Sequence, residues 1–173
     1  MKRVFWIAWL LPASVLFARD HRLRGYILDG PAFQGIRTYC FDTHNQAPRE
    51  ARVIEHLIFR ESRATGLFAQ LPWRRIENCQ AQEPDAYVRV EFPPSKTLTG
   101  FLRRDVNGVL FVLRPSSPSP VYETREVLMG GYADGIYDPP AVEFLERNAA
   151  GIAFRALVQD WREFSESHRA SMH

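Results

Sequence analysis

Asp85-Ala86-Tyr87-Val88-Arg89-Val90-Glu91-Phe92 alternates strictly, with apolar Ala86, Val88, Val90 and Phe92 separated by Tyr87, Arg89 and Glu91. Successive side chains of a strand point to opposite faces, so this stretch reads as a half-buried strand with one face on a core. Pro93 and Pro94 end it, because proline has no N–H to give a ladder. A strand of this kind needs strands beside it and a layer over its apolar face.

Both requirements are met outward along the chain. Residues 97–104 and 108–114 read as strands joined by Asp105-Val106-Asn107-Gly108, whose Asn-Gly pair favours a tight hairpin turn. Residues 121–128 alternate again and read as the last strand of an antiparallel meander. The glycine-rich stretch from Gly130 to Pro140 reads as a flexible link into the longest helix, residues 140–165. There Val142, Leu145, Ala149, Ile152 and Ala156 form one apolar line, and Phe154, Leu157, Val158 and Trp161 form a second. Before the opening stretch, residues 73–76 read as extended. Residues 49–64 read as a helix with Val53, Ile54, Leu57 and Ile58 on one stripe, Pro48 near its first position and Gly66 as its stop. Ile36-Arg37-Thr38-Tyr39-Cys40-Phe41-Asp42 is rich in β-branched and aromatic residues and reads as a strand whose buried face is left open. Residues 19–34 carry the breakers Gly25, Gly30 and Pro31 and read as a lead-in with at most a short irregular stretch. The expected fold is α+β: a two-layer sandwich of a mainly antiparallel sheet of about five strands, with two helices packed on one face.

The ends of the chain speak to its compartment. Lys2 and Arg3 precede an apolar run over residues 4–18, after which Arg19, Asp20, His21 and Arg22 begin a polar stretch. This is the layout of a secretory signal. The run is shorter than the roughly 20 residues a membrane-crossing helix needs, and Pro12 interrupts it. Leu16 stands where a small residue is preferred for cleavage, so an uncleaved anchor is the alternative. The expected division is residues 1–18 as signal, 19–165 as a single domain and 166–173 as a frayed tail. The chain has 22 basic and 20 acidic side chains, and Lys2 and Arg3 account for the excess. The exported domain is therefore near neutral, with no general attraction for nucleic acid, and membrane contact is expected only if residues 1–18 are retained.

Export changes the meaning of Cys40 and Cys79, the two cysteines. Two cysteines in an oxidising compartment point to one disulfide, with a pair of unrelated buried thiols as the alternative. Trp73, Arg74 and Arg75 form a candidate recognition patch, since aromatic and arginine side chains are favoured at interfaces; the alternative has Trp73 at the core margin with solvated arginines. Tyr132, Asp134 and Tyr137 in the glycine-rich stretch are a second candidate for interaction, against a plain connection in which Asp138 caps the last helix. His21, His44, His56, His168 and His173 show no metal-ligand spacing, and no nucleotide, zinc or serine-nucleophile signature occurs, so no catalytic residue, metal or cofactor is assigned.

The matching stretches 36–42, 53–66, 85–92, 107–113 and 141–164 resemble the bacterial exported family known as domain of unknown function 4136. The resemblance implies an exported α+β fold without an established activity. The chain departs from that family in lacking its common lipoprotein cysteine, and in having Val121-Tyr122-Glu123 where a tryptophan is often found. The reading favoured by these residues is a periplasmic or secreted accessory module that binds a protein of the cell envelope through its sheet face or an edge. A small periplasmic enzyme using Asp134, Asp138 and His44, or a carrier holding an apolar ligand between sheet and helices, are the alternatives.

Overall fold

The computed structural model describes residues 25–61, 66–93, 103–132 and 139–170. Its elements are β1 (Tyr26–Ile27), α1 (Gly30–Gln34), β2 (Thr38–Phe41), α2 (Pro48–Glu61), a single 3-10 turn (Phe68–Gln70), β3 (Arg74–Arg75), β4 (Ala86–Glu91), β5 (Arg103–Leu113), β6 (Pro120–Glu123), β7 (Val127–Tyr132) and α3 (Pro139–Ala170). The sheet runs β1-β6-β5-β4-β2-β3, and β7 pairs with the first half of β5.

β4 lies at the centre, antiparallel to β5 and parallel to β2. Ala86, Val88 and Val90 are fully buried on one face, as their alternation requires. The register sets Phe41 and Val112 beside Val88, and Leu110 beside Val90, so these side chains share that face. α2 covers it with Val53, Ile54 and Leu57, and α3 covers it with Leu145, Ala149, Ala150, Ala153, Phe154, Leu157 and Trp161. Phe33 of α1 is 0% exposed; it stacks on Tyr122 and meets Trp73, Trp161 and Phe164 edge-on, with ring centroids 5.1 to 5.6 Å apart. The space between sheet and helices is thus filled with rings.

The structure corrects the sequence-based expectation in several places. Among the described residues the sheet has seven strands where about five were expected, and it is mixed: β2 is parallel to both β3 and β4. The described residues form three α-helices where two were expected. The lead-in contains β1 and α1, with Asp29 capping α1 through a 3.0 Å bond from Ala32 N and proline in its first turn. Asn107 and Gly108 lie inside continuous β5; there is no turn at this point. An added Cβ at Gly108 would stand 2.9 Å from the Ala149 Cβ, so the glycine serves the approach of α3. Asn107 points the other way and donates to Glu126 Oε2 at 2.8 Å. The part of the expected first hairpin strand over residues 97–102 lies outside the described residues. α3 continues through Ala170, past the point where a frayed tail was expected.

The last expected strand is divided. Between the pairs Phe111↔Glu123 and Gly108↔Val127, the β6–β7 side carries one more residue than β5. Thr124 closes this bulge: its N–H donates to Leu110 O at 2.9 Å, and its Oγ1 accepts from Leu110 N at 2.8 Å. Asp160 of α3 anchors the same region, accepting from Tyr122 Oη at 2.9 Å and from Gly25 N at 2.6 Å.

Replacing Gly108 by valine drives a branched side chain into α3. The expected loss is about 1–3 kcal/mol, the range for overpacked cores, and denaturant melts check it; an unchanged midpoint would show that α3 does not sit this close. A second expectation concerns base. Burial, followed by the charge and hydrogen bond of Asp160, pushes the Tyr122 hydroxyl upward; burial does the same to Tyr39, with Arg75 acting against it. Groups raised on folding contribute stability that is complete below the unfolded value of about 10 and is lost as pH rises above it. Tyrosinate absorbance from these two rings should therefore appear together with unfolding; titration of all 6 tyrosines near pH 10 in the folded protein would contradict this.

Candidate functional site

The parallel strands β3, β2 and β4 end side by side, and the crevice outside the carboxyl ends of parallel strands is where open sheets bind ligands. Two clefts open here, divided by residues 42–47. Asp42 shapes that loop with both carboxylate oxygens: Oδ1 accepts from Asn45 N at 3.2 Å and Asn45 Nδ2 at 2.8 Å, while Oδ2 takes Arg89 Nη2 at 2.6 Å. Asp42 is 4% exposed, so this is a nearly buried charge held by a partner and by hydrogen bonds. Gln46 reaches back to donate to Val90 O. Pro48 then starts α2, with Glu50 in its first turn where the helix dipole favours a carboxylate.

The larger cleft, about 580 Å³, lies around the disulfide between Cys40 and Cys79, whose Cα atoms are 5.9 Å apart across 39 residues. Cys40 is 1% exposed, and Cys79 is partly exposed in the cleft wall. The turn carrying Cys79 is shaped by Asn78, whose Oδ1 accepts from Gln80 N and Ala81 N at 3.1 Å. Phe41, Ile58 and Ile76 supply apolar lining, and His44, Glu55, Arg75, Glu77 and Asn78 supply polar groups. Arg75 bridges the two kinds of surface: its guanidinium lies 5.6 Å from the Phe68 ring centroid and its Nη2 lies 3.3 Å from Glu77 Oε1. An apolar base with both charges around it is suited to a polypeptide segment carrying apolar and polar side chains. The smaller cleft, about 280 Å³, is lined by Asn45, Gln46, Ala47, Glu50, Arg89, Glu91, Phe92 and Pro93.

The site residues expected from sequence are partly brought together. Cys40 and Cys79 form the bond expected of them. Trp73, Arg74 and Arg75 do not make one patch. Trp73 is 4% exposed among Phe33, Tyr39 and Trp161; Arg74 is exposed on the sheet edge; Arg75 alone faces the cleft. Alternation turns Arg74 away from Arg75, while Trp73, before β3, lies deeper on the Arg75 side, among the core rings. Tyr132 ends β7, which occupies part of the expected glycine-rich link, while Asp134 and Tyr137 lie outside the described residues. His44 lines the larger cleft, as do Glu55, Glu77 and Asn78, which sequence reasoning passed over. The one local signal for them was the concentration of polar residues around Cys79.

Asp85 fixes the strands from their other end. Its Oδ2 accepts from Arg37 N at 3.0 Å, Thr38 N at 2.8 Å and Thr38 Oγ1 at 3.0 Å, which ties the start of β4 to that of β2. Desolvation works against its charge, but these donors and nearby Arg114 outweigh it and hold the carboxyl below its ordinary value. A depressed carboxylate contributes stability that is complete above about pH 3.9 and is lost as pH falls through the lower folded value. Asp85→Ala should therefore cost about 1–3 kcal/mol at neutral pH. Asp85→Asn should flatten the acid limb of the stability curve; an identical acid limb in this variant would remove the assignment.

No family model matches the chain, and no curated protein matches it. Among solved structures it is similar to the PelC dodecamer from Paraburkholderia phytofirmans in two crystal forms. One match covers 79% of this chain and 92% of that chain at 12% identity and a TM-score of 0.43; the other covers 79% and 93% at 14% and 0.41. A lipoprotein candidate from Caulobacter crescentus is matched over 80% of this chain and 96% of that chain at 13% identity and a TM-score of 0.41. Likeness at this level bears on neither chemistry nor assembly, so the functional reading rests on the residues of this chain.

Proposed function

We propose that the chain is an exported protein of the cell envelope that acts by docking a protein partner at the cleft beside Cys40 and Cys79. The disulfide carries this reading, because such bonds persist in oxidising compartments and are rare in the reducing cytosol. The signal-like residues 2–18 and the resemblance to domain of unknown function 4136 support the same compartment. The mixed lining of the cleft supports a polypeptide partner, since interfaces pair an apolar centre with a polar rim. Partner docking accounts for both features with no reacting group assigned.

Two measurements test the reading. Protein recovered from envelope fractions and alkylated without reduction should show both thiols protected; labelling of both would overturn export. A photo-crosslinking residue at Gln80, on the exposed turn of the cleft, should capture one defined envelope protein, whereas the same residue at exposed Ser116 should not. Equal capture from both positions would remove the cleft as the docking site.

A further inference from the structure

We propose that the face of the sheet opposite the described helices binds a second copy of this chain, the two faces packing about a two-fold axis that runs along β5. The described portions of all three helices pack on the face carrying Val88, Leu110, Val112 and Tyr122. The opposite face presents a row across four strands: Tyr26 of β1, Glu123 of β6, Phe111 of β5 and Arg89 of β4 are register partners in sequence. Tyr87 and Leu113 form the next pair along, and both are partly exposed with Phe111. Tyr26 is 50% exposed. Apolar side chains thus occupy the middle of a face with charges on both flanks.

The arrangement of those charges selects the occupant. Arg89 and Glu123 sit one strand to either side of Phe111, each about 4.8 Å from it across the sheet. A two-fold axis along β5 exchanges the two flanks while keeping each row, so Arg89 of one copy falls on Glu123 of the other. The next row repeats the match. Glu91 is the register partner of Val109 on the β4 side, and Arg125 lies in the bulge on the opposite side, its guanidinium 5.3 Å from the Tyr26 ring centroid. The same axis therefore sets Glu91 over the bulge of the partner, where Arg125 stands beside Glu126, whose Oε2 is held by Asn107 Nδ2 at 2.8 Å. An isologous interface must be self-complementary in this way, whereas an axis across the strands would bring Arg89 onto Arg89. Asp42 already holds one edge of the Arg89 guanidinium at 2.6 Å; the side chain remains 29% exposed. The Glu91–Arg125 match involves two exposed side chains and offers the cleaner test.

Sedimentation equilibrium of the full chain over a dilution series should give a monomer–dimer equilibrium. Glu91→Arg and Arg125→Glu should each weaken association at least about tenfold through like-charge contact, and the double variant should restore it. Circular dichroism and thermal melting establish that each variant is folded, and Phe111→Asp gives an independent disruption of the apolar centre. A wild-type chain that stays monomeric throughout overturns the proposal. So does a double variant as weak as either single one, or a face captured by a different envelope protein while the purified chain remains monomeric. The cleft beside the disulfide borders this face, since Cys40 is the register partner of Tyr87, and is read by a separate measurement, capture from Gln80.

Discussion

The close approach of α3 to β5 is the constraint on which the other packing depends. A helix of 32 residues spans about 48 Å, so its standing distance from the sheet sets the thickness of the whole core. Ala149, Ala150 and Ala153 are fully buried, and opposite Ala149 the strand offers Gly108, with no side chain. From this contact α3 extends over β5 and β7, and α2 leans on it through Arg49 and the nearly buried Glu146. Farther along, Trp161 and Phe164 close over Phe33, which seats α1 against β6. A larger residue at the point of contact would lift the helix from all of these partners together.

Legibility in the sequence follows from how local each determinant is. The alternation from Ala86 to Phe92 and the stripe of Val53, Ile54, Leu57 and Ile58 are local patterns produced by burial, and both became the elements expected. Asn107-Gly108 has the same local chemistry in a turn as in a strand crossed closely by a helix; the deciding group, Ala149, lies far along the chain. Parallel pairing of β2 with β4 is equally remote, because residues 42–85 intervene and alternation carries no direction. Phe33 was obscured by Gly30 and Pro31, which read as breakers although proline suits the first turn of a helix. The candidate patch at Trp73 failed for a physical reason: three consecutive residues on an extended backbone cannot share a face.

Polar side chains stand where the regular ladder is interrupted, and two of the three, Thr124 and Asp42, are buried. Thr124 satisfies Leu110 across the bulge, Asp85 gathers the first N–H groups of β2, and Asp42 holds the loop at the other end of that strand. Each supplies a partner to backbone that the ladder leaves unpaired, and at buried Thr124 and Asp42 an unmade hydrogen bond costs about 1–3 kcal/mol. Their positions also bear on function. With one end of the parallel strands tied by Asp85, the loops at the other end can diverge, and both clefts open there.

The disulfide acts at a short edge of the sheet. β3 contributes only two residues to the edge of the sheet, and the turn after it is shaped by Asn78 and by little regular structure. Joining Cys79 to Cys40 fastens that turn to β2, one strand inward, and closing a loop of about 40 residues stabilises by roughly 4 kcal/mol in the chain-entropy model. The same bond forms part of the cleft wall. Oxidation therefore does two things at one place: it stabilises an otherwise short edge, and it sets the distance between the β2 end and the turn carrying Glu77, Asn78 and Gln80.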